Sequence, residues 1–291
     1  MEYQEFKEIL KQKVEEALVG ENIEVVFETI EKNNGVCKEV LTFQEEGMNG
    51  MPAIHLKELF QFHLTHGKMD ITVGEVLHIL SAKMKVKISD IIGDWKTSKE
   101  KIYVKVVNYE WNKAQLETCL HRRFLDLALV AQLEVYGNEH GRASMPVQSG
   151  YLKEWGISEE KLWNAAAENI QKQEFKIQNL FETIREMLGE EVPEEGMSTM
   201  YIMTSKSHLH GAVSILRTDL LDTFASEMGG SFYILPSSTH ELLLLPHYDQ
   251  YDSEELKRMV REVNNTSVLE EERLSDNIYL YRSETHKLEV A

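Results

Sequence analysis

Three groups of residues have types and spacings that could do chemistry. His121, Arg122 and Arg123 stand three residues ahead of Asp126, just before or at the start of an apolar strand. The trio could hold an anion, with Asp126 orienting His121. The same residues could instead be structural, with Arg122 or Arg123 pairing with Asp126 or a nearby glutamate to pin the strand. Pro236-Ser237-Ser238-Thr239-His240-Glu241 puts a serine, a histidine and a carboxylate in one loop. Ser238 and His240 are therefore candidates for a nucleophile and its base in a hydrolase-like reaction. Triad members meet in space rather than in sequence, and this loop is no nucleophile elbow. Its residues also suit a plain turn, since Pro sets φ while Ser and Thr satisfy loop backbone.

His208 and His210 bracket Leu209. In a strand both imidazoles would face one side and could supply two zinc ligands. His240, Glu241 and His247 are the nearest sources of a third. His63 and His66 share a helical face at i, i+3, which is not the zincin spacing. The ligand sets are incomplete, so no metal site is expected. Neither G-x-x-x-x-G-K-[ST] nor G-x-G-x-x-G occurs, and Gly229-Gly230 follows a helix pattern where a phosphate loop must precede one. No cofactor is expected on this basis.

The chain of 291 residues is acidic, with a net charge of −18. Such a surface repels phosphate backbones and anionic membranes and attracts basic proteins. A partner with a basic surface is the expectation; direct nucleic-acid binding and membrane association are not. Cys37 and Cys119 are too few for a disulfide framework and lie in apolar contexts, so both are expected to be buried and reduced. The opening MEYQEFKEILKQKVEEAL has no signal-peptide pattern, which predicts a cytoplasmic chain.

Apolar residues from Tyr3 to Leu18 recur at steps of three and four, the pattern of an amphipathic helix. Two alternating runs around Asn33-Asn34-Gly35 predict a hairpin. Residues 54–66 open as a strand and become a helix ending at Gly67, and Asp70 or Thr72 could cap the next. Ile102–Val107 and Leu125–Val135 predict strands, Asn108–Cys119 a helix and Ala143–Gln148 a return strand. Ser158, followed by two glutamates, should cap a helix. The run 189–198, with Gly, Pro and four glutamates, reads as a solvated linker. Beyond it come strands at Tyr201–Met203, Gly211–Leu216, Ser231–Leu235, Glu241–Leu245 and Ile278–Tyr281. Helices are predicted over Asp219–Met228 and Ser253–Val263. The expected architecture is α+β: mainly antiparallel sheets with helices on one face. Two closely associated subdomains, 1–190 and 199–291, would flank an acidic linker at 191–198.

Several stretches carry a resemblance that runs in order along nearly the whole chain. They include Val107-Asn108-Tyr109-Glu110 with Asn112-Lys113, His121–Ala128, Tyr151–Gly156, Phe232–Ser238 and His240-Glu241. Met259–Asn264 and Leu274-Ser275-Asp276 complete them. The chain resembles an uncharacterised domain-of-unknown-function family, DUF 5688, of Gram-positive gut bacteria. The resemblance implies one co-occurring architecture and brings no activity, substrate or catalytic residue. With no catalytic motif and an acidic surface, the chain reads as a non-enzymatic interaction or regulatory module. The alternative is a hydrolase-like enzyme using the His121/Arg122/Asp126 or the Ser238/His240 group.

Overall fold

The computed structural model describes residues 1–45, 52–82, 92–138, 141–188, 200–248 and 251–291. The chain divides into two compact units, Met1–Gly93 and Asp94–Ala291.

In the first unit, α1 (Tyr3–Ala17) lies on an antiparallel sheet of β1 (Ile23–Glu31), β2 (Cys37–Glu45) and β3 (Ile54–His55). The helical periodicity is used as predicted: Phe6, Leu10 and Val14 are buried against Val25, Leu41 and Phe43. The β1–β2 turn takes the left-handed backbone that Asn and Gly accept most readily, with Asn34 at φ 62° and Gly35 at φ 73°. Helix α2 (Leu56–His66) leaves β3 directly and stops at Gly67, whose N–H bonds the His63 carbonyl at 2.7 Å. Helix α3 (Met69–Ala82) starts ahead of both expected caps. Thr72 is buried inside it, beside His63 Nδ1 at 3.1 Å. His66 Nδ1 donates to the Phe62 carbonyl, so both histidines of this pair serve local structure. Cys37 is exposed at the start of β2, contrary to the expectation of a buried thiol; only Cys119 is partly covered. Burial pushes the Cys119 thiol up.

The second unit holds two sheets. One is built on β6 (Leu127–Asn138), which pairs with β4 (Ile102–Asn108) on one side. It also pairs with β5 (His121–Phe124) and with β7 (Gly141–Pro146). A single turn of helix, α4 (Trp95–Ser98), precedes β4, and Asp94 caps it. Helix α6 (Ser149–Trp155) ends at Gly156, and α7 (Glu159–Lys172) begins on the predicted Ser158 cap. The expected helix over 108–119 shrinks to α5 (Lys113–Leu116), because the amides of Asn108 and Asn112 bond the backbone around it.

The other sheet has six antiparallel strands in the order β13-β12-β10-β11-β9-β8. These are β8 (Phe175–Asn179), β9 (Tyr201–Ser205), β10 (Phe232–Leu235), β11 (Glu241–Pro246), β12 (Tyr279–Arg282) and β13 (Lys287–Val290). β8 and α8 (Leu180–Leu188) precede the acidic run and β9 follows it, yet β8 and β9 pair along five residues. The two compact units meet at Gly93/Asp94, and the expected linker at 191–198 lies outside the described residues. Composition marked a charged connection, but strand pairing across it makes both sides one unit.

The architecture is α+β, antiparallel sheets with packed helices, and this sheet carries helices on both of its faces. Tyr233, Leu235, Leu245 and Leu280 pack on Leu256 and Val260 of α10 (Ser253–Ser267). Phe232, on the opposite face, meets Phe224 of α9 (Thr218–Met228) edge to face at 4.8 Å. A strand buried on both faces carries a continuous apolar run, as Phe232–Leu235 and Leu242–Leu245 do. The predicted strand at Gly211–Leu216 is a 3₁₀ helix, buried from Gly211 to Ile215. Its short run, apolar but for the buried Ser214, satisfies either reading of the pattern.

If both faces are core, Phe224→Ala and Leu256→Ala should each destabilise the second unit by about 2–5 kcal/mol in urea unfolding. A surface-like change below about 0.5 kcal/mol at either position would show that its face is not buried.

Candidate functional site

Two polar constellations join the sheets of the second unit, one at each end of β4. At its C-terminal end, Asp126 sits in the tight turn between β5 and β6, after Leu125 at φ 56°. Its carboxylate accepts from Ser275 Oγ at 2.6 Å, Asn277 Nδ2 at 2.9 Å and the Tyr279 hydroxyl at 2.8 Å. The Asp126 carbonyl accepts from the Tyr109 N–H. Asn108 Nδ2 donates to the Leu274 carbonyl, while Asn264 Nδ2 donates to Ser275 O and Asp276 Oδ1. Ser275, Asn264, Asn108 and Asn112 are all buried. Burial first, and then the charge of Asp126, pushes the Tyr279 phenol well above its ordinary value near 10.

This geometry separates the first predicted group. His121 and Arg123 alternate onto the face that carries Tyr109, with ring centroids 6.1 Å apart for His121 and the guanidinium 4.6 Å above the ring for Arg123. Arg122 points the other way and covers Trp163 at 4.8 Å. His121 Nδ1 donates to the Cys119 carbonyl rather than to Asp126. The cation cluster is thus spread over two faces, and Asp126 is committed to the C-terminal segment.

At the N-terminal end of β4, the Tyr103 ring stacks on His210 at 5.7 Å, and His210 stacks on His240 at 5.5 Å. The His210 N–H donates to His240 Nδ1 at 3.2 Å, so that nitrogen is the unprotonated one and the proton lies on Nε2. Nε2 is 3.6 Å from Glu272 Oε1. Ser238 Oγ accepts from the His240 N–H at 3.0 Å and so caps its own turn. Gly211 is required here: an added Cβ would lie 2.2 Å from the His240 carbonyl oxygen and 2.6 Å from Ser205 N. His208 and His210 do not lie on a strand. Both take left-handed backbone, at φ 56° and φ 53°, so the expected shared face is lost. His208 is exposed while His210 is stacked inside. Among the described residues no group of three or more His, Cys, Asp or Glu is placed to hold a metal ion.

Beside this layer a groove of about 520 Å³ opens, walled by Tyr103, Ser205 and Ser207, by the segment before β4 and by the end of α7. Ser205 Oγ is 3.2 Å from Ser207 Oγ and donates to the Leu209 carbonyl at 2.9 Å. Its rim carries the ion pairs Lys172–Glu100 at 3.2 Å and Lys206–Glu174 at 2.7 Å. Each ammonium holds its carboxyl below the ordinary carboxylate range, chiefly through the direct hydrogen bond.

Sequence reasoning missed Tyr103, Ser205, Glu272, Asn277 and Tyr279. A phenol hydroxyl on a strand was the available sign for Tyr103 and Tyr279. Asn108, Asn112, Asn264 and Ser275 stood in quoted segments without a role.

Asp126→Ala leaves three donors without their acceptor and should cost about 2–4 kcal/mol of stability. A loss under about 0.5 kcal/mol, measured in urea, would show that the carboxylate does not bind the sheets together. The phenol of Tyr279 ionises near its ordinary value when unfolded and well above it when folded. Its contribution is therefore complete below about pH 10 and declines as the pH rises beyond it. Tyr279→Phe should flatten the fall in stability between about pH 9 and 11, a change that paired unfolding curves measure directly.

Among the described residues no helix is long and apolar enough to cross a membrane. No curated protein and no solved structure matches the chain significantly. A family of unknown function, DUF5688, matches over residues 3–283, and those residues include every member of both constellations. The chain belongs to this family.

Proposed function

We propose that the chain is a non-catalytic interaction module that engages a protein with a basic surface. The observation that carries this reading is the orientation of the Ser238/His240 loop. Ser238 Oγ accepts from the backbone N–H of His240, and His240 Nδ1 accepts from that of His210. A serine activated for attack would instead donate to an imidazole nitrogen. The remaining candidates are used in the same way, Arg122 on Trp163 and Asp126 on the C-terminal segment. The net charge of −18 favours a cationic partner by long-range attraction and repels phosphate backbones. A cytoplasmic setting accords with two cysteines that are both free.

Two measurements on the purified full chain test the reading. Hydrolysis of chromogenic carboxyl esters, phosphate esters and anilides should match buffer and stay unchanged in His121→Ala and His240→Ala. A turnover abolished by either substitution would overturn the proposal in favour of a hydrolase. Proteins retained on the immobilised chain should be basic and should elute as salt rises from about 50 to 300 mM. Retention indifferent to salt would rule out recognition by charge.

A further inference from the structure

The groove beside Tyr103 has a backbone built to stay in place. Asn169 Nδ2 donates to the Lys99 carbonyl at 2.7 Å and to the Ile102 carbonyl at 2.8 Å, which fixes the segment holding Glu100 and Lys101. Arg217 Nη1 donates to the carbonyls of Ile170 and Gln173, which fixes the end of α7 and with it Lys172 and Glu174. The Lys206 N–H donates to the Glu174 carbonyl at 3.1 Å and ties the third wall to the second. Three stretches far apart in sequence are thereby held around one space. The Lys172–Glu100 and Lys206–Glu174 side chains that rim it are mostly exposed.

The charges of this space are balanced. Lys101, Lys172 and Lys206 line it together with Glu100, Glu134 and Glu174. In a chain of net charge −18 this is a locally neutral place. A polyanion would meet three carboxylates there, and a polycation three ammonium groups. A ligand with one charge of each sign meets an opposite charge at both ends. It also gains at little cost, because the rim pairs Lys172–Glu100 and Lys206–Glu174 have side chains 57–70% exposed. Exposed pairs of this kind contribute about 0–1 kcal/mol and exchange readily for a ligand's own charges. Between the charges stand the hydroxyl of Ser207 and the flat ring of Tyr103, while the Asn169 amide and the buried Ser205 hydroxyl are spent on backbone carbonyls. A hydroxyl matches a peptide group, and the volume is within the range of small-ligand sites.

We propose that this groove binds a short peptide segment bearing both an ammonium and a carboxylate. The proposal is independent of the basic-partner reading, since it concerns one neutral groove and not the acidic surface as a whole.

The test is a titration of the full chain with three end-blocked tetrapeptides, followed by backbone amide chemical shifts. The probes are acetyl-Lys-Ala-Ala-Glu-amide, acetyl-Lys-Ala-Ala-Lys-amide and acetyl-Glu-Ala-Ala-Glu-amide. The first should shift the amides of 100–103, 172–174 and 205–207 with an affinity on the order of 0.1–1 mM. The other two should bind at least about tenfold more weakly, because each meets like charges. The double variant Lys172→Ala/Lys206→Ala alters only exposed tips and should weaken the first peptide by about tenfold or more while the rest of its spectrum is unchanged. No shift in the groove, or equal shifts with all three peptides, would overturn the proposal. Undiminished binding in the double variant would do the same.

Discussion

The carboxylate of Asp126 is the constraint on which the second unit depends. One acidic side chain, in a two-residue turn, accepts from a serine, an asparagine and a tyrosine of a distant segment. A charged acceptor with three donors is well satisfied, and so a partly buried ion is tolerated. The same turn holds Leu125 in left-handed backbone, which costs a branched residue about 1–2 kcal/mol. The bonds to Asp126 offset that cost. The turn and the C-terminal segment therefore stabilise each other, and neither is explained alone.

β4 shows how this constraint reaches the groove. Asn108 anchors its C-terminal end to the Leu274 carbonyl, within the Asp126 network. Tyr103 anchors its N-terminal end through the stacked rings of His210 and His240. The strand is thus held at both ends by connections of the six-stranded sheet. Gly211 allows the close approach, because no other residue fits beneath the His240 carbonyl. The groove opens where this second anchor meets solvent. Its shape follows from backbone bonds and its charge from exposed lysines and glutamates, so structure and recognition rest on different atoms.

Much of the architecture was legible. The helical spacing of Phe6, Leu10 and Val14, the Asn-Gly turn, the Gly67 stop and the Ser158 cap are local signals, and local physics decided them. The failures were non-local. The pairing of β8 with β9 is invisible to composition, which saw only an acidic connection. Gly211–Ile215 is buried all round, Ser214 included, and a short run of mostly small and apolar residues carries no period by which to choose strand or helix. The candidate residues were found by type but their directions were not. Alternation in β5 sends Arg122 to one face and His121 and Arg123 to the other. The Asp126 network needed residues more than a hundred positions away, and no spacing rule contains that distance.

That distance has a consequence for synthesis. Asp126 is separated from Ser275 and Tyr279 by 149 and 153 residues. At ribosomal rates of roughly 5–20 residues per second, the turn leaves the exit tunnel about 7–30 s before its donors do. Through that interval the β5–β6 hairpin has a left-handed leucine and an unanswered carboxylate. The hairpin must persist on ladder bonds and apolar contacts alone, or be held open by a chaperone, until the final strands arrive and close it.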